Sequence, residues 1–177
     1  MIESQNTQIP FTASLKSGET LTGSSAKSSG DHLVDTDQGW TLETQRSEVR
    51  GTQYWSASRG EELAELKVVW PSAYSDDPVM WRFQADLEIE KLSQINHPSV
   101  QAVLEWGFDE DQQCWWAALE EVKGLSLRRM TESRPLVASE ARTLFLSLMK
   151  GLNSCHQQGL VHRHIDPAHI ILTEVGA

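Results

Sequence analysis

The sequence predicts an α+β fold: a small sheet of five strands carrying one helix, followed by the start of a helical region. Three observations predict it. Between Trp40 and Leu119, short runs of strand-like alternation and one stretch of helical spacing follow in the order β-β-β-α-β-β. After Arg134-Pro135, an apolar stripe of Ala141, Leu144, Phe145, Leu148, Leu152 and Cys155 marks the strongest helix of the chain. Residues 1–38 share neither pattern. The length of 177 residues is enough for one domain with a real core.

Residues 1–38 are rich in Ser, Thr and Gly and have few large apolar side chains. Such a segment cannot offset its ordering entropy by burial, so a flexible tail is expected. Ile9–Leu15 is the part of it able to add a strand to a neighbour. Trp40–Gln45 and Gln53–Ala57 are strand-like runs around the turn Arg50-Gly51. Glu62–Trp70 is a third strand. Its alternation places Ala64, Leu66, Val68 and Trp70 on one face and Glu65, Lys67 and Val69 on the other. Asp76-Asp77-Pro78 starts a helix, with aspartate as cap and proline in the first turn. Met80, Phe83, Leu87, Leu92 and Ile95 carry its helical spacing, and His97-Pro98 ends it. Val100–Phe108 and Cys114–Leu119 are strands around the acidic turn Asp109-Glu110-Asp111. The long helix follows with Ser139 as its N-cap, and Gly159 suits a left-handed stop.

Charge and composition exclude several function classes. A net charge of −10 argues against a nucleic-acid or anionic-membrane surface, since both need a basic face. The first residues lack the basic and apolar regions of a secretory leader, and no apolar run reaches the roughly 18 residues that span a bilayer. A cytoplasmic location is the expectation. Cys114 and Cys155 read as reduced, buried small hydrophobes. The seven tryptophans are large anchors. One ring of Trp115-Trp116 is expected in the core and the other outside, available with Trp55 and Trp106 to a partner.

Taken together, residues 40–177 resemble the N-terminal lobe and the beginning of the C-terminal lobe of a eukaryotic-type (Hanks-type) Ser/Thr protein kinase. L-K-V-V resembles the third-strand V-A-I-K word and makes Lys67 the strand lysine. E-I-E-K-L-S-Q-I-N-H-P-S-V resembles the helix-C word and makes Glu88 the glutamate that pairs with that lysine. A-L-E-E-V-K-G-L-S-L resembles the fifth strand and hinge, with Leu119 as gatekeeper and Glu120–Val122 as hinge. H-Q-Q-G-L-V-H-R-H-I-D-P-A-H-I-I-L-T-E resembles the catalytic-loop word H-x-x-G-I-V-H-R-D-I-K-P-x-N-I-L-L-T-E. The resemblance implies an antiparallel N-lobe sheet with helix C over residues 39–122 and a partial C-lobe over 123–177.

The departures from the family pattern shape the functional expectation. Phosphoryl transfer needs an orienting carboxylate, metal ligands and positive charge near the transferred phosphate. The resemblance places His164 at the catalytic aspartate, Asp166 at the catalytic-loop lysine and His169 at the metal-binding asparagine; its D-F-G word would fall beyond residue 177. Where glycines should let backbone amides approach phosphate, Arg46 and Glu48 stand, with Gly51 as the third position. Gln53 and Glu65 take positions that stack on adenine, and Glu65 is expected to pair with Lys67.

From this follow the expectations of no enzymatic activity, no bound ATP and no metal, with Lys67–Glu88 a structural ion pair and His162 packed in the core. His162, His164 and His169 lack a fourth ligand at zinc spacing. Cys155 and His156 point apart on their helix and do not form a nucleophile pair. The leading functional expectation is a non-catalytic, pseudokinase-like scaffold or interaction module. Its partner would be another protein, covering the 139–158 helix through Phe145, Leu148 and Leu152 and reaching the C-terminal loop. The alternative is a nucleotide-binding sensor, or a fragment of a longer Ser/Thr kinase completed by downstream sequence or a partner.

Overall fold

The computed structural model describes residues 16–21, 24–27, 39–49, 51–73 and 75–173. Its centre is an antiparallel sheet of β1 (Thr20–Leu21), β2 (Ser24–Lys27), β3 (Trp40–Val49), β4 (Thr52–Arg59), β5 (Glu62–Val69), β6 (Val103–Asp109) and β7 (Cys114–Glu120). The order across it is β1-β3-β4-β5-β7-β6-β2. β1 and β2 therefore lie at opposite ends of the sheet, although Leu21 and Ser24 are only three Cα steps apart, about 11 Å at full stretch. The sheet therefore curls until its two edges, β1 and β2, come close together. This corrects the expectation of a featureless tail over 1–38: part of it contributes two strands to the five that the sequence predicts. Ile9–Leu15 lies outside the described residues.

The curled sheet has two cores. Inside the curl, Leu21, Leu42, Ala64, Leu66, Val68 and Ala118 are buried with Trp40, Trp55 and Trp116. The second core lies on the opposite face, where Val69, Val103, Trp106, Phe108 and Trp115 meet a helix. Along β5 the expected alternation holds: Ala64, Leu66 and Val68 point into the curl, and Glu65 and Lys67 stay on the other face. Trp115 and Trp116 do diverge, but both rings are buried, one in each core. Trp55 and Trp106 are buried as well. None of these rings is the exposed contact expected from sequence, because the face away from the curl is covered by the helix rather than open to solvent.

One charged pair is enclosed in the curl. Glu105 on β6 is buried and accepts from Arg59 Nη1 at 2.6 Å and from Trp40 Nε1 at 3.2 Å. The Arg59 guanidinium also lies 4.3 Å from the Trp40 ring centroid. The carboxylate is ion-paired and hydrogen-bonded through Oε2, while Oε1 is buried without a hydrogen-bond partner among the described residues.

The covering helix is α1 (Pro78–Ser93). Asp77 caps it as predicted, accepting from the backbone N–H of Met80 at 3.0 Å. Its buried face is only partly the expected one: Leu92 packs on the core and Ile95, just past the helix, is buried. Trp81, Ala85, Ile89 and Leu92 pack on the sheet, whereas Met80, Phe83 and Leu87 are exposed. The Trp81 indole meets Trp115 edge-on, with centroids 6.1 Å apart, and Trp115 Nε1 donates to Asp86 Oδ1 at 2.9 Å. A tryptophan pair fixes the rotation of a helix whose sequence is apolar on more than one side.

After β7 the chain forms β8 (Leu125–Ser126), α2 (Leu127–Ser133), α3 (Ala138–Gln157) and β9 (Ile171–Leu172), with β8 and β9 paired. The long helix starts earlier than Ser139 suggests, with Val137 as its N-cap. Glu140 takes over the capping, accepting from the Val137 backbone N–H at 3.1 Å and gripping Arg134 at 2.8 and 2.7 Å. Those donors hold its carboxyl at about 2, Arg134 being the larger cause. Gly159 has the predicted positive φ of 71°, and the N–H of Leu160 closes back on the carbonyl of Cys155 at 3.0 Å. At Gly151 an added Cβ would sit 3.2 Å from Ser99, so the missing side chain lets α3 approach the segment that leads into β6.

Replacing Leu66, fully buried in the curl, by alanine is expected to destabilise the protein by about 2–5 kcal/mol. Leu63→Ala on the same strand, half exposed, is expected to change stability by less than about 1 kcal/mol. Urea unfolding of the two variants checks the sidedness of β5.

Candidate functional site

The face of β5 turned away from the curl carries the residues that the sequence singles out. Antiparallel register sets Lys67 opposite Tyr54 on β4 and Ala117 on β7, and Glu65 opposite Ser56 and Leu119. Lys67 is half-buried, and burial lowers its ammonium pKa from the usual value. The carboxylate of Glu88 on α1 opposes that shift through its field. Glu88 itself stays exposed and acts on Lys67 at a distance. The sheet and the helix thus bring the two residues within each other's field, but the expected Lys67–Glu88 ion pair does not form.

Glu65 does not pair with Lys67 as expected. Successive residues of one strand face are about 6.8 Å apart along the chain, and Glu65 leans the other way. Its Oε2 lies 3.9 Å from Arg46 Nη1, and its Oε1 accepts a long bond of 3.5 Å from Gln101. Arg46 also forms a close ion pair with Glu121, just beyond β7. The cause lies in β3. The pairing of β3 with β4 slips between Gln45 and Ser47, so Arg46 is an extra residue in a β-bulge. A bulge re-aims a side chain. Here Arg46 reaches the face shared by Ser47, Tyr54 and Glu65. Neither the bulge nor the Arg46–Glu121 link is legible from sequence; two opposite charges far apart in the chain are the only hint. Gln53, placed by sequence at an adenine contact, is instead buried and accepts from Trp55 Nε1 at 3.1 Å.

The segment after α3 runs along α2. Asp166 accepts from Arg128 Nη2 at 2.9 Å and from the Ala168 backbone N–H at 2.7 Å. The backbone bond first, and Arg128 after it, hold its carboxyl below the ordinary range. Arg128 and Arg129 donate backbone N–H groups to Pro167 and Ser126. His164 and His169 have ring centroids 5.0 Å apart, tilted by 51°. His162, expected in the core, is exposed. Among the described residues no group of three or more His, Cys, Asp or Glu side chains is placed to hold a metal. Burial pushes the Cys114 thiol up to about 12 and raises that of Cys155, so neither is activated as a nucleophile.

Phe145, Leu148 and Leu152 on α3 divide. Phe145 is exposed with its neighbours Leu146 and Met149, while Leu148 and Leu152 are half-buried. No helix among the described residues is long and apolar enough to cross a membrane.

Comparison with known proteins agrees with this architecture. Residues 60–177 match the protein kinase domain family. Probable serine/threonine-protein kinase PknB of Lactococcus lactis is 25% identical over 118 residues, 66% of this chain and 18% of that protein. Serine/threonine-protein kinase PknI of Mycobacterium tuberculosis is 30% identical over 115 residues, 63% of this chain and 19% of that protein. Probable serine/threonine-protein kinase PkwA of Thermomonospora curvata is 32% identical over 127 residues, 71% of this chain and 17% of that protein. The crystal structure of the M. tuberculosis PknI kinase domain superposes with a TM-score of 0.67 at 24% identity, over 90% of this chain and 58% of that one. The chain thus spans less than a fifth of these curated relatives. The fold is that of a kinase N-lobe with the start of a C-lobe. Relatives named as Ser/Thr kinases overturn the leading expectation of a non-catalytic scaffold; they favour the alternative, a portion of a Ser/Thr kinase domain.

Replacing Glu88 by glutamine removes the field that opposes burial at Lys67, so the ammonium pKa is expected to fall further. At fixed pH near neutrality, Lys67 of the variant should react faster with an amine-acylating reagent than Lys67 of the wild type. Mass-spectrometric labelling of that one site reads the change.

Proposed function

We propose a function from one premise: this chain belongs to the protein kinase domain family, which it matches over residues 60–177. The chain forms the nucleotide-binding lobe and the adjoining start of the large lobe of a Ser/Thr protein kinase domain. The rest of that domain is supplied by further sequence or by a partner chain. The observation that carries the reading is Lys67: a half-buried ammonium on the outer face of the sheet, within the field of Glu88. A positive charge held there without an ion-pair partner among the described residues suits an anionic ligand, and in this family that ligand is the nucleotide phosphate.

The helical part supports the same reading. Phe145, Leu146 and Met149 stand exposed on one side of α3, and Val161 and Ile165 follow in the loop beyond it. Covering one such side chain is worth about 1.5–3 kcal/mol, so a completing lobe has a surface ready to receive it. His164, Asp166 and His169 replace the family's aspartate, lysine and asparagine, and Asp166 is engaged by Arg128. Phosphoryl transfer by these 177 residues alone is therefore not expected, whereas nucleotide binding is.

A thermal-shift titration with ATP and Mg²⁺ tests the proposal. The wild-type chain is expected to show a saturable rise in melting temperature that Lys67→Ala abolishes. An equal rise in both proteins, or none in the wild type, would remove Lys67 from nucleotide binding and this reading with it.

A further inference from the structure

Arg46 is the residue of the site that ties two separate elements together. It sits on β3 where the resemblance to the kinase family expects a glycine, and the bulge between Gln45 and Ser47 turns it to the face of Glu65 and Lys67. It touches carboxylates on two separate elements: Glu65 on β5, with Arg46 Nη1 at 3.9 Å, and Glu121 in the segment leaving β7. The Arg46 side chain thus links the bulged strand to the connector after β7. Glu121 is the more enclosed partner, at 18% side-chain exposure against 38% for Arg46, so the bridge is partly sheltered from solvent.

We propose that Arg46 gates the nucleotide slot, its bridge to Glu65 and Glu121 closing the entrance that a base must pass. The inference rests on the nucleotide-lobe reading above and adds its regulation. Three observations converge on it. The register shift between Gln45 and Ser47 makes Arg46 the extra residue, and its side chain reaches Glu65 on this face. A guanidinium can serve two carboxylates at once through its planar fork, which an ammonium cannot do as well. Glu65, the other side chain filling the slot, is held there by Arg46 and not by Lys67, so Lys67 remains available to phosphate when the bridge opens. A base entering the slot breaks the contacts of Arg46 with both partners, and that cost is subtracted from its affinity.

The opposite role is chemically reasonable and makes the proposal falsifiable. An arginine at a glycine position near the phosphates could be a phosphate ligand, in which case its removal would weaken binding. Fluorescent ATP analogue titrations on the whole chain, in the presence of Mg²⁺, separate the two roles for the wild type, Arg46→Ala, Arg46→Lys and Glu121→Gln. The gate predicts binding about tenfold tighter in Arg46→Ala, with Arg46→Lys between it and the wild type and Glu121→Gln also tighter than the wild type. If Arg46→Ala fails to fold, Arg46→Lys and Glu121→Gln carry the test. Weaker or unchanged binding in these variants, with the wild type still binding, overturns the gate and leaves the nucleotide-lobe reading standing. No binding by any of the four proteins overturns both.

Discussion

The alternation along β5 is the constraint on which the rest of the structure depends. Ala64, Leu66 and Val68 are driven into the curl by burial, and this alone decides that Glu65 and Lys67 emerge on the opposite face. A slip of one residue would bury a lysine and a glutamate among tryptophans and expose Leu66, at a cost no small domain could absorb. The two flanking strands are registered to β5, so Tyr54, Ala117 and Leu119 inherit their sides from it. α1 then closes on the outer face through Trp81 and Trp115, and its rotation sets the distance from Glu88 to Lys67. The candidate site is a consequence of core formation rather than an addition to it.

Much of this was legible in the sequence, because it is governed by local periodicity and by capping chemistry. The two-residue repeat of β5, the Asp77-Pro78 start of α1 and the left-handed Gly159 after α3 are short-range signals, and all three hold in the structure. Lys67 and Glu88 were legible through family words rather than through any local pattern. What was not legible depends on long-range packing. Met80, Phe83 and Leu87 compete with Trp81, Ala85 and Ile89 for the buried face of α1, and only the position of Trp115 on another element decides between them. The same holds for Thr20–Lys27, whose Ser-rich composition gives no strand signal: backbone bonding to free edges of an existing sheet recruits it.

The site shows the same division. Sequence places Glu65 beside Lys67 and suggests that they pair, since they are neighbours on one face. The structure instead gives Glu65 to Arg46, through a bulge that adds one residue to β3 and that no periodicity reveals. The resemblance places His164, Asp166 and His169 at the family's aspartate, lysine and asparagine, and the non-catalytic scaffold drawn from that placement does not hold. The match to the protein kinase domain family and the relatives named as Ser/Thr kinases favour a portion of a kinase domain over a scaffold. Asp166 illustrates the local logic: its carboxylate is paired with Arg128 and accepts from the Ala168 N–H.

The account stands or falls on whether a nucleotide occupies the face of β5 that carries Lys67. The most direct measurement is a backbone amide NMR spectrum of the isotope-labelled chain, recorded as Mg²⁺-ATP is added. The account predicts perturbations confined to three regions that are remote in sequence: Arg46 to Gly51, Lys67 with its strand neighbours, and Glu120 to Val122. Perturbations absent from all three, or centred instead on the exposed side of α3, would contradict it.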